Sequence, residues 1–335
     1  MNGGNKMYKA NDDRYEKATI RRAGNTGLQL PGISFGMWHS FGDDANYSDS
    51  ERVILDAFDS GIFSFDLANN YGPGSGAAER MFGEVYKANL KPYRNELVIT
   101  TKAGYHMWPG PYGSFSGRKT LMNAIDVSLE RMNLDYVDIF YSHRFDPNTS
   151  LEETAVALDD IVKSGKALYV GISNYNKEQT AEMIKYFKEL HTPFAVNQLS
   201  YNMLNRDVKE DGVVDLLREE QKAVVAYGPL AEGLLTNKYL NDLPADMKLH
   251  PTNSGVLSGG ANDLKAKLNQ LNDIAQNRGQ SLAQMATAWL LNDPTVVSVV
   301  TGASKVEHLQ DNIKAMENLD FTSDELEAID KIVLG

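Results

Sequence analysis

Eight short apolar runs recur along the chain: ISFGM from Ile33, IFSFDLA from Ile62, ELVITTKA from Glu96, VDIFYSH from Val137, ALYVGIS from Ala167, FAVNQLSY from Phe194, AVVAYGPL from Ala223 and VVSVVTGA from Val296. The stretches that follow them carry apolar residues at helical spacing, over Asp49 to Ser60, Ala77 to Ala88, Lys119 to Met132, Leu151 to Ser164, Lys177 to Leu190, Val208 to Glu220, Asn262 to Leu291 and Lys305 to Met316. Near-continuous apolar runs belong to strands covered on both faces, and strands alternating with helices build a parallel sheet. An open sheet of eight strands would show a domain break or an order reversal, and neither is visible. The pattern predicts an α/β fold, one (β/α)8 TIM barrel domain over 1–335.

Three additions frame the barrel. Residues 17–31 form two short alternating runs around Gly24-Asn25-Thr26-Gly27, a hairpin signal, and residues 1–16 read as a polar, poorly ordered arm. At the other end, Thr322 to Glu325 is a capping box that opens an extra C-terminal helix. Ser48, Asn176 and Ser304 are the expected N-caps of their helices. Two connections exceed the usual length, Tyr105 to Arg118 and Asn241 to Ala261; both follow strands, which places them at the catalytic face.

Composition narrows the function. The absence of cysteine removes disulfides, thiolate nucleophiles and cysteine metal sites, and it fits a cytoplasmic address. A net charge of −12 argues against nucleic acid or anionic membrane as a partner, since both demand a cationic face. No apolar run is long enough to span a membrane, and the first residues lack the apolar core of a signal peptide. The six histidines, at 39, 106, 143, 191, 250 and 308, form no ligand pair at a strand end, so no metal site is expected and a metal-dependent barrel hydrolase is disfavoured.

Gly72-Pro73-Gly74-Ser75-Gly76-Ala77 matches the dinucleotide fingerprint G-x-G-x-x-A, but the context rejects it. That fingerprint wants an acidic residue at the end of the next strand, where this chain carries Lys102. The glycines are expected instead to shape a loop whose helix N-terminus can approach an anion.

Barrel enzymes draw catalytic groups from the carboxyl ends of strands. Asp66 ends the second run, Tyr71 lies in the loop after it, Lys102 ends the third run and His143 the fourth. The segments FDLANNYG, ITTKAG, YSHRFDP, GISNYN, YGPLAEGLLTNKY and TGASKVEHLQDN resemble the aldo-keto reductases in order and spacing, from about Thr19 to the end of the sequence. TKAGYHMWPGPYGS is most similar to the branch that holds bacterial L-glyceraldehyde-3-phosphate reductases and lies near the β subunits of voltage-gated potassium channels. The chemistry agrees: carbonyl reduction by hydride needs a proton donor, and a phenol is a sluggish acid near neutrality. Lys102 is expected to lower the Tyr71 pKa, Asp66 to hold Lys102, and His143 to hydrogen-bond the carbonyl oxygen. The resemblance implies the same roles, with Tyr71 as acid.

The resemblance also implies NADP(H) as cofactor, laid across the barrel mouth. Gly36, Met37 and Trp38 would border it. Ser173, Asn174 and Gln198 match the family's carboxamide clamp, Tyr227 its aromatic platform, and Gly228, Pro229, Leu230, Gly233 and Lys238 its pyrophosphate loop. Gly302, Ser304 and Lys305 open the last helix and would hold the adenosine 2′-phosphate, with His308, Asp311 and Asn312 on the adenine side. Lysine at 305 keeps the charge of the arginine that many relatives carry and gives up its bidentate fork, so strict NADPH preference is in question.

Trp38, His39, Tyr105, Trp108 and Tyr112 predict a small, partly apolar substrate pocket. Arg118, Lys119 and Arg144 add cations that a substrate phosphate would explain, the alternative being that the first two only begin a helix and Arg144 pairs with Asp146. The expected reaction is NADPH-dependent reduction of a small aldehyde or ketone, with glyceraldehyde 3-phosphate and methylglyoxal as candidates. The alternative is an NADPH-binding regulatory subunit like the channel β subunits, and a homo-oligomer is compatible with the sequence.

Overall fold

The computed structural model describes residues 8–244 and 246–335. An antiparallel hairpin of β1 (Ile20–Arg22) and β2 (Gln29–Pro31) precedes the barrel. β3 (Ile33–Gly36), β4 (Ser64–Asp66), β5 (Val98–Ala103), β6 (Val137–Ser142), β7 (Ala167–Ser173), β8 (Phe194–Ser200), β9 (Ala223–Tyr227) and β10 (Val296–Thr301) pair in parallel in chain order, and β10 closes the ring against β3. All residues of β5, β6 and β8 are buried, as strands covered by side chains inside and helices outside must be. Register places Gly36 beside Asp66, Asp66 beside Thr100 and Lys102 beside Tyr141, so the candidate polar groups lie near one level at the carboxyl end.

Around the strands run α1 (Tyr47–Asp59), α2 (Ala77–Val85), α3 (Arg118–Met132), α4 (Leu151–Lys163), α5 (Lys177–Leu190), α6 (Asp207–Glu210), α7 (Val213–Glu219), α8 (Gly260–Asn277), α9 (Leu282–Asn292), α10 (Val306–Ile313) and α11 (Ser323–Leu334). The main apolar core lies between strands and helices. A second cluster, including Leu234, Leu235, Leu264, Leu268 and Ile329, packs α8, α9 and α11 under the loop after β9. Among the described residues no helix is long and apolar enough to cross a membrane.

Local chemistry redraws several helix limits. Asn46, not Ser48, caps α1 by accepting from the Asp49 amide. Asn176 does cap α5, in a full capping box with Gln179. The stretch 208–220 breaks at Gly212, whose φ of 83° a helix cannot hold, and the stretch 262–291 splits where Ser281 and Gln284 form a capping box. Ser304 caps nothing: the N-cap of α10 is Lys305, in extended conformation with no side-chain bond. α11 opens on the Thr322–Glu325 capping box as the sequence predicts.

The N-terminal segment is anchored from Tyr8 onward. Tyr8 Oη donates to Asp59 at 2.9 Å, the Ala10 amide donates to Tyr93 Oη at 2.9 Å, and the Arg14 guanidinium sits 5.0 Å from the Phe58 ring centroid and pairs with Glu96. Its polarity suggests an arm without order because these anchors are side-chain bonds to distant residues, which composition does not register. Residues 1–7 of that arm lie outside the described residues.

Candidate active site at the barrel mouth

Lys102 is the centre of the constellation. Its side chain is fully buried, and its three donors are all used: Asp66 Oδ2 at 2.6 Å, the Leu67 carbonyl at 2.7 Å and Tyr71 Oη at 3.2 Å. Burial pulls Lys102 below its usual value, while the carboxylates of Asp66 and Glu79 raise it. Asp66 accepts in addition from Thr100 Oγ1 at 3.0 Å and from Gln198 Nε2 at 2.8 Å. A buried carboxylate and ammonium with such complete hydrogen bonding form a fixed unit, because each uncompensated charge would be costly there.

Tyr71 is half-buried, and its hydroxyl accepts from Lys102 Nζ. Burial first, then the Asp66 carboxylate, pushes Tyr71 well above the usual phenol value. This corrects the expectation that Lys102 depresses it: desolvation of the phenolate outweighs the nearby ammonium. The hydroxyl therefore keeps its proton at neutral pH. His143 stands edge-on to Tyr71, with ring centroids 5.8 Å apart, and to Tyr105 at 4.6 Å. Burial, then Lys102 and Arg144, push His143 well below the usual imidazole value, so it is neutral. Its Nδ1 is buried without a partner among the described residues.

At the glycine-rich loop, which the sequence leads one to expect near an anion, the structure places the Arg131 guanidinium. Gly76 has φ of 84° and precedes α2, and a Cβ added to it would stand 2.4 Å from Arg131 Nη1. A guanidinium thus occupies the helix N-terminus, an unfavourable dipole contact offset by the buried carboxylate of Glu79, 3.0 Å from Arg131 Nη1. The loop instead ties the mouth together, with the Gly72 amide donating to the Trp38 carbonyl at 2.8 Å.

Of the pocket candidates, Trp38 is 54% exposed and lies over His39, with centroids 3.8 Å apart, and 6.3 Å from the Tyr71 ring. Tyr105 and Tyr112 are exposed and Trp108 is half-buried. The cations separate. Arg118 extends along α4 to Asp160, 2.5 Å away, and Lys119 sits over the Tyr112 ring at 4.2 Å. Arg144 does not pair with Asp146, whose carboxylate accepts from the Asn148 amide and Thr149 Oγ1. Its guanidinium lies over Tyr105 at 4.6 Å and Phe115 at 4.1 Å, donates to the Gly104 carbonyl, and meets no carboxylate among the described residues.

Comparison with known proteins bears on this arrangement. The profile of the Aldo/keto reductase family matches residues 32–334. The chain belongs to the aldo/keto reductase family. It is 50% identical to the L-glyceraldehyde 3-phosphate reductases of Escherichia coli K12 and O157:H7 over 330 residues, covering 97% of this chain and 95% of each relative. A probable voltage-gated potassium channel subunit beta of Oryza sativa is 32% identical over 319 residues, covering 93% of this chain and 94% of that one. An aldo-keto reductase of Bacillus halodurans, solved in holo form, shares the fold with a TM-score of 0.78 at 24% identity, covering 94% and 96% of the two chains. The protein is thus an oxidoreductase, carbonyl reduction is its class of reaction, and a nicotinamide cofactor goes with the family.

The reductase's remaining mouth fits a nucleotide. A Cβ at Gly302 would approach the Gly36 carbonyl to 3.4 Å, and Thr301 Oγ1 beside it is buried without a partner among the described residues. Gly228 and Gly233 take φ of 68° and 88°, and added Cβ atoms there would meet nothing closer than 4.0 Å. Lys238 and Lys305 are exposed, with no ion pair among the described residues. Ser304 and His308 are exposed with them, Asn312 is half-buried, and Asp311 accepts from Gln284 Nε2 at 2.8 Å. Tyr227 Oη donates to Asn174 Oδ1 at 2.7 Å, Asn174 Nδ2 to the His143 carbonyl at 3.2 Å, and Ser173 Oγ to the Gln198 carbonyl at 2.9 Å. Three features of the site escape the sequence reading. They are the Gln198 bridge to Asp66, Phe115 beside Arg144, and Glu79 behind Lys102; Glu79 at the third position of a glycine-led helix was the only local signal.

Proposed function

We propose that this reductase uses NADPH to convert a small aldehyde or ketone to its alcohol, with Tyr71 as general acid and glyceraldehyde 3-phosphate and methylglyoxal as candidate substrates. The Asp66–Lys102–Tyr71 hydrogen-bond chain carries the reading. When bound, the nicotinamide supplies the hydride. As negative charge grows on the carbonyl oxygen, the neutral His143 imidazole donates a hydrogen bond to it and Tyr71 Oη delivers its proton. Lys102 Nζ, already directed at Oη, stabilises the phenolate left behind, and Asp66 keeps that ammonium charged and aimed. Ser173, Asn174, Gln198 and the Tyr227 face would orient the nicotinamide. Gly36, Met37, Gly228, Pro229, Leu230, Gly233 and Gly302 would let the backbone approach the diphosphate, and Lys238, Ser304 and Lys305 would meet the phosphates.

Arg144, which meets no carboxylate among the described residues and lies over Tyr105 next to His143, suits a short substrate with an anionic end, with Trp38 and Trp108 as further apolar surface. The E. coli relatives, named for a phosphorylated aldehyde, support that preference. The test is NADPH oxidation with both candidates, for the wild type and Tyr71→Phe. Loss of turnover by a factor on the order of 10³, with NADPH binding retained, is the expected result. A variant that keeps the wild-type rate would remove Tyr71 from the role of acid.

A further inference from the structure

The carboxylate of Glu79 is the group in the barrel end that the proposed chemistry does not use, and it is fully buried. Its Oε1 accepts from Thr101 Oγ1 at 2.6 Å, one residue before Lys102 on β5, and its Oε2 meets Arg131 Nη1 at 3.0 Å. The same Nη1 donates to the Asn69 carbonyl at 3.2 Å, two residues before Tyr71. The Asn69 amide in turn donates to the Lys102 carbonyl at 3.0 Å. One ion pair, formed between α2 and α3, therefore touches both chain segments that carry the acid and its cation. A purely structural pair at this place would be a poor way to stabilise a barrel, since well-packed apolar residues do as well or better than buried charges.

We propose that Glu79 and Arg131 are positioning residues for the reduction: Arg131 sets the height of the Asn69–Tyr71 loop, and Glu79 holds both Arg131 and the Thr101 hydroxyl, one residue before Lys102. The inference rests on the reductase reading of the site. The groups facing Lys102 and Tyr71 are Asp66 on β4, Glu79 on α2, Tyr141 and His143 at the end of β6, and Tyr105 and Tyr227 from the loops. Of these, Asp66 and Glu79 are the carboxylates, and the cations facing them are Lys102 itself, Arg131 on Glu79 and Arg144 beside His143, so replacing either carboxylate by its amide alters the charge around Lys102.

The signs follow. In Glu79→Gln the Lys102 ammonium loses a stabilising anion, so the alkaline limb of kcat/KM moves to lower pH. In Arg131→Gln a cation is lost beside Glu79, and the limb moves to higher pH. In both, kcat at neutral pH falls by roughly tenfold while KM for NADPH stays within twofold, because neither residue lies on the nucleotide side. Arg131→Lys keeps the charge but replaces the rigid guanidinium plane that carries Nη1 to both Glu79 and the Asn69 carbonyl, so it lowers kcat with the limb in its wild-type place. That variant, with Glu79→Gln, keeps the test decisive where Arg131→Gln does not fold. Limbs that stay put in Glu79→Gln, or a kcat unchanged in both Glu79→Gln and Arg131→Lys, would overturn the proposal. A wild type that reduces no carbonyl would instead overturn the reading beneath it, so the two failures are distinct.

Discussion

The two halves of the barrel mouth are built on opposite rules. Between β4 and β6 the buried charged pair is fully bonded, although His143 Nδ1 is left without a partner among the described residues: Lys102 uses all three donors and Asp66 accepts from Lys102, Thr100 and Gln198. Around the ends of β9 and β10 they are left open, with Lys238 and Lys305 unpaired among the described residues, Thr301 Oγ1 orphaned, and glycines bare of neighbours. A group that must act on a reacting atom gains from being held before the substrate arrives. A group that must grip a charged ligand loses affinity if its own neighbours already neutralise it. The two cations of the proposed pocket repeat the lesson on a smaller scale, Arg118 being paired with Asp160 and Arg144 free between two rings.

The contrast breaks most sharply at Asp66. Asp66→Asn should leave the Lys102 ammonium buried without its anion, costing roughly 3–5 kcal/mol of stability if the charge persists, along with most of the turnover. Chemical denaturation that finds wild-type stability would show that the catalytic half is not a preset unit. Next, Arg144→Gln should lower kcat/KM for glyceraldehyde 3-phosphate by about 10- to 100-fold, from loss of a charged hydrogen bond, and that for methylglyoxal by less than about threefold. Equal losses on both substrates would mean that Arg144 supports the pocket instead of reading an anion. On the open side, Lys305→Ala should raise KM for NADPH by about tenfold and leave KM for NADH unchanged, because one exposed cation on a phosphate contributes on the order of 1 kcal/mol. A parallel rise for both cofactors would place Lys305 away from the 2′-phosphate.

A separate effect, on stability alone, concerns pH. His143 is held neutral in the fold, with a pKa well below the unfolded value near 6.5. Below about pH 6.5 the unfolded chain binds a proton that the folded chain refuses, so stability falls as pH falls, by up to about 1.4 kcal/mol per unit until the folded pKa is reached. His143→Asn should remove that part of the slope. Denaturation at pH 7 and pH 5 measures it, and an unchanged slope would assign it to another group.

The barrel was legible because strand burial and helix period are local patterns, repeated eight times, and misreadings of any one helix limit do not disturb the ring. The limits themselves were less so. Asn46 and Lys305 took cap positions expected for Ser48 and Ser304, since several adjacent polar residues offer comparable caps and the packing of the whole helix selects among them. The segment after Tyr8 read as unordered because its anchors lie on α1 and beside β5, far away in sequence.

By itself the sequence determined the architecture and the residue types at the strand ends, including Asp66, Lys102 and His143, with Tyr71 in the loop after Asp66, because register carries the end of each apolar run to the same rim. Which groups neutralise which was left to the tertiary structure. It paired Arg118 and freed Arg144, set Arg131 on the N-terminus of α2, turned Gln198 to Asp66, and buried Tyr71 deeply enough to keep its proton. The physical reason is that hydrogen bonding and desolvation depend on distances between residues 30 to 130 positions apart in the chain, as Lys102 to Asp66 and Gln198 to Asp66 are, and such distances exist only once the ring has closed.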